Sequence, residues 1–189
     1  MNLTMTDPTS APKASTKNAN AATANSIMFS IGESALGQVL VARSAAGVCA
    51  ILMGSTAEEL QTDLAERFPD SEIARNDGKV RADLSKVIRF IEAPKDGPDL
   101  ALDMRGTPFQ HRVWEALRAI PTGITVTYTE LARRLGEPKS VRAVASACAA
   151  NTIALAIPCH RVVRTNGAMA GYRWGVERKR ALINREALA

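Results

Sequence analysis

Aromatic side chains are scarce, at 4 % of 189 residues, so any core must be built mainly of Val, Leu, Ile and Ala. Histidine occurs only as His111 and His160, and cysteine only as Cys49, Cys148 and Cys159. Three thiols cannot all pair, and none has C-x-x-C spacing. That argues against a disulfide framework or a zinc finger and predicts reduced thiols in a cytosolic protein. With so few candidate ligands, neither a metal nor a cofactor is expected. No apolar run reaches the roughly 18 residues of a membrane span, so no membrane partner is expected either. Residues 1–25 lack the apolar stretch of a secretory signal. Rich in Ala, Thr, Ser and Asn, they read as a disordered tail that cannot bury enough surface to offset its ordering entropy. What is present in quantity is apolar surface, at 46 %, and a net charge of +5 that suits a polyanion without demonstrating one.

The chain then divides. "SIMFSIGES", "GQVLVARS" and "GVCAILMG" are β-rich and bounded by Gly or Ser, which predicts a three-stranded antiparallel meander. Thr56 opens a helix with "TAEE" as a capping box, Glu59 reaching back to the Thr56 amide. Leu60, Leu64 and Phe68 share its face, and Pro69 ends it. A second helix is predicted over about 80–92, with Val80, Leu84, Val87, Ile88 and Ile91 as its stripe. "EAPKDGPD" reads as a linker, which sets an N-terminal α/β lobe at 26–98 and a C-terminal lobe at 99–189.

The second lobe reads as mostly helical. Thr107, Pro108 and Gln110 form a capping box with proline at the first helical position, ahead of a stripe of Phe109, Val113, Leu117 and Ile120. His111 lies off that stripe, as a rim histidine. "TYTELARRLG" gives a helix capped by Thr129 and ended by Gly136. "SVRAVASACAAN" gives another from Ser140, with Val141, Val144, Ala145 and Cys148 inward. The pair has helix-turn-helix form, which fits a DNA binder or a plain helical hairpin. Ala143, Ala145, Ser146, Ala147, Ala149 and Ala150 keep the second helix smooth. It could approach another helix closely, or a minor groove only about 6 Å wide. Arg142 projects from it, as an inserting cation or as a solvated surface arginine.

"IPCHRVV" (157–163) sets a nucleophile beside a base. A thiol with pKa near 8.5 is only about 3 % thiolate at pH 7. A neighbouring histidine could take the proton directly or through one water. A carboxylate behind that histidine would orient it, Glu186 being one candidate. The residues alone leave open an inert buried cysteine with a chance neighbour. Cys49 and Cys148 read as packing residues.

The run "NTIALAIPCHRVVRTNGAMAGYRWGVERKRALI", with "TYTELA" and "VRAVASACAAN" before it, closely resembles the O6-alkylguanine-DNA alkyltransferases, or methylated-DNA–protein-cysteine methyltransferases. The likeness spans about residues 27–187 and is densest from 105 onward. It is nearest the C-terminal part of bacterial adaptive-response members.

The resemblance implies an α+β protein whose C-terminal lobe carries the helix-turn-helix and an active-site loop. It implies direct-reversal DNA repair, with irreversible, stoichiometric transfer of an alkyl group from O6 of guanine (O4 of thymine as a variant) to Cys159. His160 would deprotonate Cys159 through a water and be held by Glu186. Asn151 would tie the helix-turn-helix to the cysteine loop. Tyr128 would act at N3 of a flipped guanine. Arg142 would fill the gap in the base stack, from the small-residue surface of Ala143 and Ser146. The carbonyls of Cys159 and Val162 would accept from the guanine amino group, and Tyr172 and the Arg173 amide would lie near O6. The implied partner is double-stranded DNA containing O6-alkylguanine, bound through its minor groove by a monomer. The implied location is the cytoplasm, on the nucleoid of a bacterium. Gly171, Ala168 and Ala170 suggest room near the pocket. The four-cysteine zinc domain and activating region of adaptive-response members have no counterpart in residues 1–25, so phosphotriester repair and gene regulation are not expected. A cysteine hydrolase, a non-enzymatic damage binder and a plain regulator are the competing readings.

Overall fold

The computed structural model describes residues 25–95, 97–169 and 171–189. The expected tail therefore lies, except for Asn25, outside the described residues. Asn25 itself is tied down, its carbonyl accepting from the Glu72 amide at 3.1 Å.

Strands β1 (Ser26–Ser34), β2 (Gly37–Arg43) and β3 (Val48–Gly54) form the expected antiparallel meander. The β1–β2 turn closes at Gly37, whose φ of +101° suits glycine. The expected three-stranded sheet gains a fourth member. β4 (Glu72–Arg75) pairs parallel with β1, giving the order β3-β2-β1-β4. Between β3 and β4 runs α1 (Ala57–Arg67). Its cap is Thr56, as expected, but Glu59 reaches the Ser55 amide at 3.0 Å instead of that of Thr56. Helix α2 (Asp77–Glu92) begins earlier than expected because the Asn76 side chain accepts from Lys79 N and nucleates the first turn. Both helices bury their apolar stripes on the sheet: Leu60 and Leu64 from α1, and Val80, Leu84, Val87, Phe90 and Ile91 from α2.

All seven residues of β3 are buried, and its outer edge is used twice by the second half of the chain. Val48 pairs with Leu102 and Ile51 with Ile153. The second pairing matters for function, because 153 lies between the helical pair and Cys159. The sheet edge thus sets where the cysteine loop starts. One buried apolar cluster runs from Ile27 to Leu182 and includes both halves.

The second half contains α3 (Pro108–Arg118), β5 (Val126–Thr127), α4 (Tyr128–Arg134), α5 (Val141–Ala149), a 3-10 turn at Cys159–Arg161, β6 (Val162–Val163) and α6 (Val176–Glu186). The capping box of α3 is present with both reciprocal bonds. Trp114 joins Val113 and Leu117 in its buried face, while Phe109 is only partly buried. The cap of α4 is Thr127, two residues before the expected Thr129. Thr127 is held extended by parallel pairing of β5 with β6, so the helix must start at Tyr128.

Candidate active site

Tyr128 and Cys159 are joined by one short ladder. Val126 pairs with Val162 and Thr127 with Val163, which sets the first residue of α4 beside the turn carrying Cys159. Gly136 ends α4 at φ +76°, and α5 follows after a short turn. On α5, Val144, Ala147 and Cys148 face inward, and Trp114 donates its indole N–H to the Ala147 carbonyl at 2.9 Å. Arg142, Ala143, Ser146 and Ala149 are exposed. They recur at helical spacing, so one open face of α5 carries small side chains and a single cation.

The loop from α5 to Cys159 is tightly held. Asn151, 1 % exposed, donates to the Ile157 carbonyl at 2.8 Å and the Cys159 sulfur at 3.3 Å, and accepts from Ile153 N at 2.9 Å. Leu155 has φ +69°, and the Ala156 amide reaches the Ala154 carbonyl at 2.7 Å across it. That is a γ-turn of the strained hand at a buried leucine, next to the cysteine.

Behind the sulfur is a buried polar cluster. His160 is fully buried, with Nε2 2.8 Å from Glu186 Oε1. A carboxylate opposite Nε2 places the proton there and leaves Nδ1 as an acceptor lone pair. Arg161 grips the same carboxylate with two bonds of 2.8 and 3.0 Å, and also donates to the Ile120 carbonyl and Thr122. The Gly123 amide adds a fourth donor at 3.3 Å. Glycine is required there: φ is +78°, and a Cβ would lie 3.0 Å from the Glu186 carbonyl oxygen. Lys179, fully buried, donates to the Val162 carbonyl at 2.6 Å.

Burial dominates the protonation states. It raises the Cys159 thiol, opposed by the Asn151 hydrogen bond and the Lys179 charge. It lowers His160, opposed by Glu186, so the imidazole is neutral. Burial also acts to raise Glu186, but the bonds from His160 and Arg161 prevail and hold it at about 2. Burial and the two neighbouring thiols push Tyr128 up to about 12, so it remains a donor. The thiol is therefore protonated at rest. His160 makes no direct hydrogen bond to the sulfur; its Nδ1 has no partner among the described residues.

In front of Cys159 is a cavity of 410 Å³, within the range of about 300–1,000 Å³ of small-molecule sites. Tyr128, Tyr172, Arg173 and Gly171 line it, as the sequence predicts or suggests. Cys148, assigned from sequence to packing, is buried but forms part of the wall, together with Trp174, Ala145 and Ala149. Asn151, His160 and Glu186 stand behind it, and Arg142, Ala143 and Ser146 on the open helix face. Ala168 is not in the lining, and Ala170 lies outside the described residues. The Val162 and Cys159 carbonyls each already accept one bond, from Lys179 and from the Val162 amide, and each retains a lone pair. The buried side-chain N and O atoms without a partner among the described residues are His160 Nδ1, the Tyr172 hydroxyl and Trp174 Nε1. Tyr172 and Trp174 line the cavity and His160 adjoins Cys159, so unmet polar capacity gathers at one place.

Sequence reasoning did not find Arg161, Lys179 or Trp174. A usable signal existed for Lys179. With Leu182 and Glu186 it forms the buried face of α6, at spacings of three and four.

Comparison with known proteins gives a consistent answer. A profile described as 6-O-methylguanine DNA methyltransferase, DNA binding domain, matches residues 108–188. The chain is 48 % identical over 161 residues to the bifunctional transcriptional activator/DNA repair enzyme Ada of Escherichia coli, covering 85 % of this chain and 46 % of Ada. It thus spans about half the length of that relative. It is 36 % identical to the inducible methylated-DNA–protein-cysteine methyltransferase of Bacillus subtilis, covering 70 % of this chain and 74 % of that one. The crystal structure of Mycobacterium tuberculosis OGT in complex with DNA superposes with a TM-score of 0.73 at 31 % identity, covering 85 % of this chain and 93 % of that one.

Proposed function

Because the chain belongs to the O6-methylguanine-DNA methyltransferase family, we propose that it repairs DNA directly, moving an alkyl group from O6 of guanine to Cys159. The observation that carries this is the hydrogen-bonded pair of neutral His160 and ionised Glu186 behind a thiol that faces a base-sized cavity. Residues 26–98 act as the scaffold lobe and residues 99–189 as the lobe that binds DNA and reacts.

The exposed face of α5 enters the minor groove, with Ala143, Ser146 and Ala149 letting the backbone come close. Extruding the nucleotide costs a few kcal/mol, less for a poorly paired lesion. Arg142 offsets part of this by filling the vacated stack. Arg133, Arg134 and Lys139 add phosphate contacts that make binding salt-dependent. In the cavity, Tyr128 donates to N3, the Cys159 and Val162 carbonyls accept from the amino group, and Tyr172 and the Arg173 amide lie at O6.

Transfer is one displacement. The Cys159 proton passes through a water to His160 Nδ1, and Glu186 stabilises the imidazolium. The sulfur lone pair forms the S–C bond as the C–O6 bond breaks, and its electrons leave with guanine. The base regains the proton held by His160, so charge and atoms balance. The thioether is stable, so each molecule acts once. The protein works as a monomer in the cytoplasm, at the bacterial nucleoid. Among the described residues no helix is long and apolar enough to cross a membrane.

Titration with an oligonucleotide carrying labelled O6-methylguanine tests the reading. One methyl group per chain, located on Cys159 by mass spectrometry and lost in Cys159→Ala, is expected. Turnover beyond one, or label on Cys49 or Cys148, overturns it.

A further inference from the structure

All residues lining the Cys159 cavity are numbered 128 or higher, so the N-terminal sheet contributes nothing to its surface. One wall nevertheless depends on that sheet. Arg173 and Trp174 stand between the cavity and a second cleft of 820 Å³, whose far side is formed by Leu60 and Asp63 of α1. A wall with open space on both sides lacks the close packing that fixes most buried segments.

Arg178, on the first turns of α6, supplies fixation. Its Nη1 donates to the Trp174 carbonyl at 2.9 Å, Nε to the Leu36 carbonyl in the β1–β2 turn at 2.8 Å, and Nη2 to the Ser55 hydroxyl ahead of α1 at 3.3 Å. One planar guanidinium thus joins the wall to two separate points of the sheet, which a lysine cannot do. Arg173 adds an outer bond to Asp63 at 3.0 Å, but that pair is partly exposed to solvent and holds less.

We propose that Arg178 is a positioning residue for alkyl transfer: it locks the Trp174 wall so that the alkyl carbon is held in line with Cys159. This rests on the transfer reaction proposed above. The N-terminal lobe thus holds the cavity wall through this strap, as it holds the start of the cysteine loop through the Ile51–Ile153 pairing. Misplacement by about 1 Å can cost as much as a hundredfold in rate.

Arg185 provides the control. It too leaves α6 for the N-terminal lobe, donating to the Ile91 carbonyl at 3.0 Å, but it does not touch the wall. Single-turnover methyl transfer is measured at saturating duplex, with the half-saturating DNA concentration and thermal midpoint of each variant. Arg178→Gln is expected to slow the saturated rate about tenfold with half-saturation unchanged. Arg185→Gln is expected to retain the wild-type rate. Equal losses in both, or a loss confined to DNA affinity, overturn the proposal. If Arg178→Gln does not fold, Arg178→Lys, which keeps the charge and one bond, is expected to lose about threefold; a wild-type rate overturns it.

Acrylamide quenching separates this proposal from the reaction. Trp114 is buried between α3 and α5, so Arg178→Gln should expose only Trp174. Unchanged quenching refutes the strap, whereas a wild-type protein that gains no methyl group refutes the reaction.

Discussion

Glu186→Gln changes one oxygen to an amide and should cost both the base and the fold. The carboxylate is 4 % exposed and receives four donors: His160, two from Arg161, and the Gly123 amide. Glutamine has only one acceptor oxygen, so its NH₂ must face a donor. If it faces His160, the imidazole moves its proton to Nδ1 to accept that NH₂, and the lone pair proposed to take the thiol proton is lost. If it faces Arg161, a buried guanidinium loses its counter-charge, which typically costs about 3–5 kcal/mol. Loss of a positioned base is worth about 10²–10⁴ in rate. Single-turnover transfer at pH 7 and saturating duplex should therefore fall by about 10²–10⁴, with little change in DNA affinity. The deficit should narrow at higher pH, where bulk hydroxide removes the thiol proton without His160. Urea unfolding should show a loss of about 3 kcal/mol near pH 7. Because the folded carboxyl is held at about 2, below its unfolded value, its stabilisation is complete above the unfolded pKa. It fades as pH falls toward 2, so the two proteins should converge in acid. A variant within threefold of wild-type rate, or an equal stability difference at pH 7 and pH 3, would refute the buried base.

Asn151→Ala leaves the Ile153 amide unsatisfied, worth about 1–3 kcal/mol when buried, while the Ile157 carbonyl keeps its 2.8 Å bond from the Cys159 amide. A loss of about 1–3 kcal/mol in chemical denaturation is expected; no measurable loss would mean that another group takes the Ile153 amide. Arg142→Ala is exposed and should leave the thermal midpoint unchanged. It should slow repair of a lesion in duplex more than reaction with the free alkylated base. Equal effects on the two substrates would exclude a stacking role.

What could be read from the sequence was local. The Thr107–Gln110 box and the stripes of α1 and α2 are set by residues within a few positions, and they form as read. β4 was not legible: "EIAR" has one half-buried apolar residue, Ile73, and exists because β1 offers it an edge. The cap of α4 was misplaced for the same reason. Two threonines stand two residues apart, and a ladder to β6, far along the chain, chooses Thr127. The Cys159–His160 adjacency was visible in the sequence, but Glu186 lies 26 residues beyond His160; chemistry made it one candidate, and the family resemblance selected it. Arg161 and Lys179 look like surface charges, because a sequence reports charge without burial.

Those two cations bear on how a buried thiol could serve the proposed transfer, which needs an anion. Burial alone raises Cys159, and each unit costs about 1.4 kcal/mol at the moment of attack. Arg161 is neutralised by Glu186, but among the described residues Lys179 is bonded to no carboxylate, only to the Val162 carbonyl; burial lowers its pKa, and a thiolate at Cys159 opposes that. With Lys179 charged, the thiol form of the cluster carries one excess positive charge and the thiolate form is balanced. Passing the proton to His160 restores a positive charge, now shared with Glu186. The proton therefore moves inside a preorganised site whose donors need not reorient. A thiol protonated at rest is also a poor target for oxidants and stray electrophiles. In the proposed single-use transfer, staying unreactive until a base fills the cavity protects the nucleophile, and the Asn151 hydrogen bond and the Lys179 charge oppose the burial that raises its pKa.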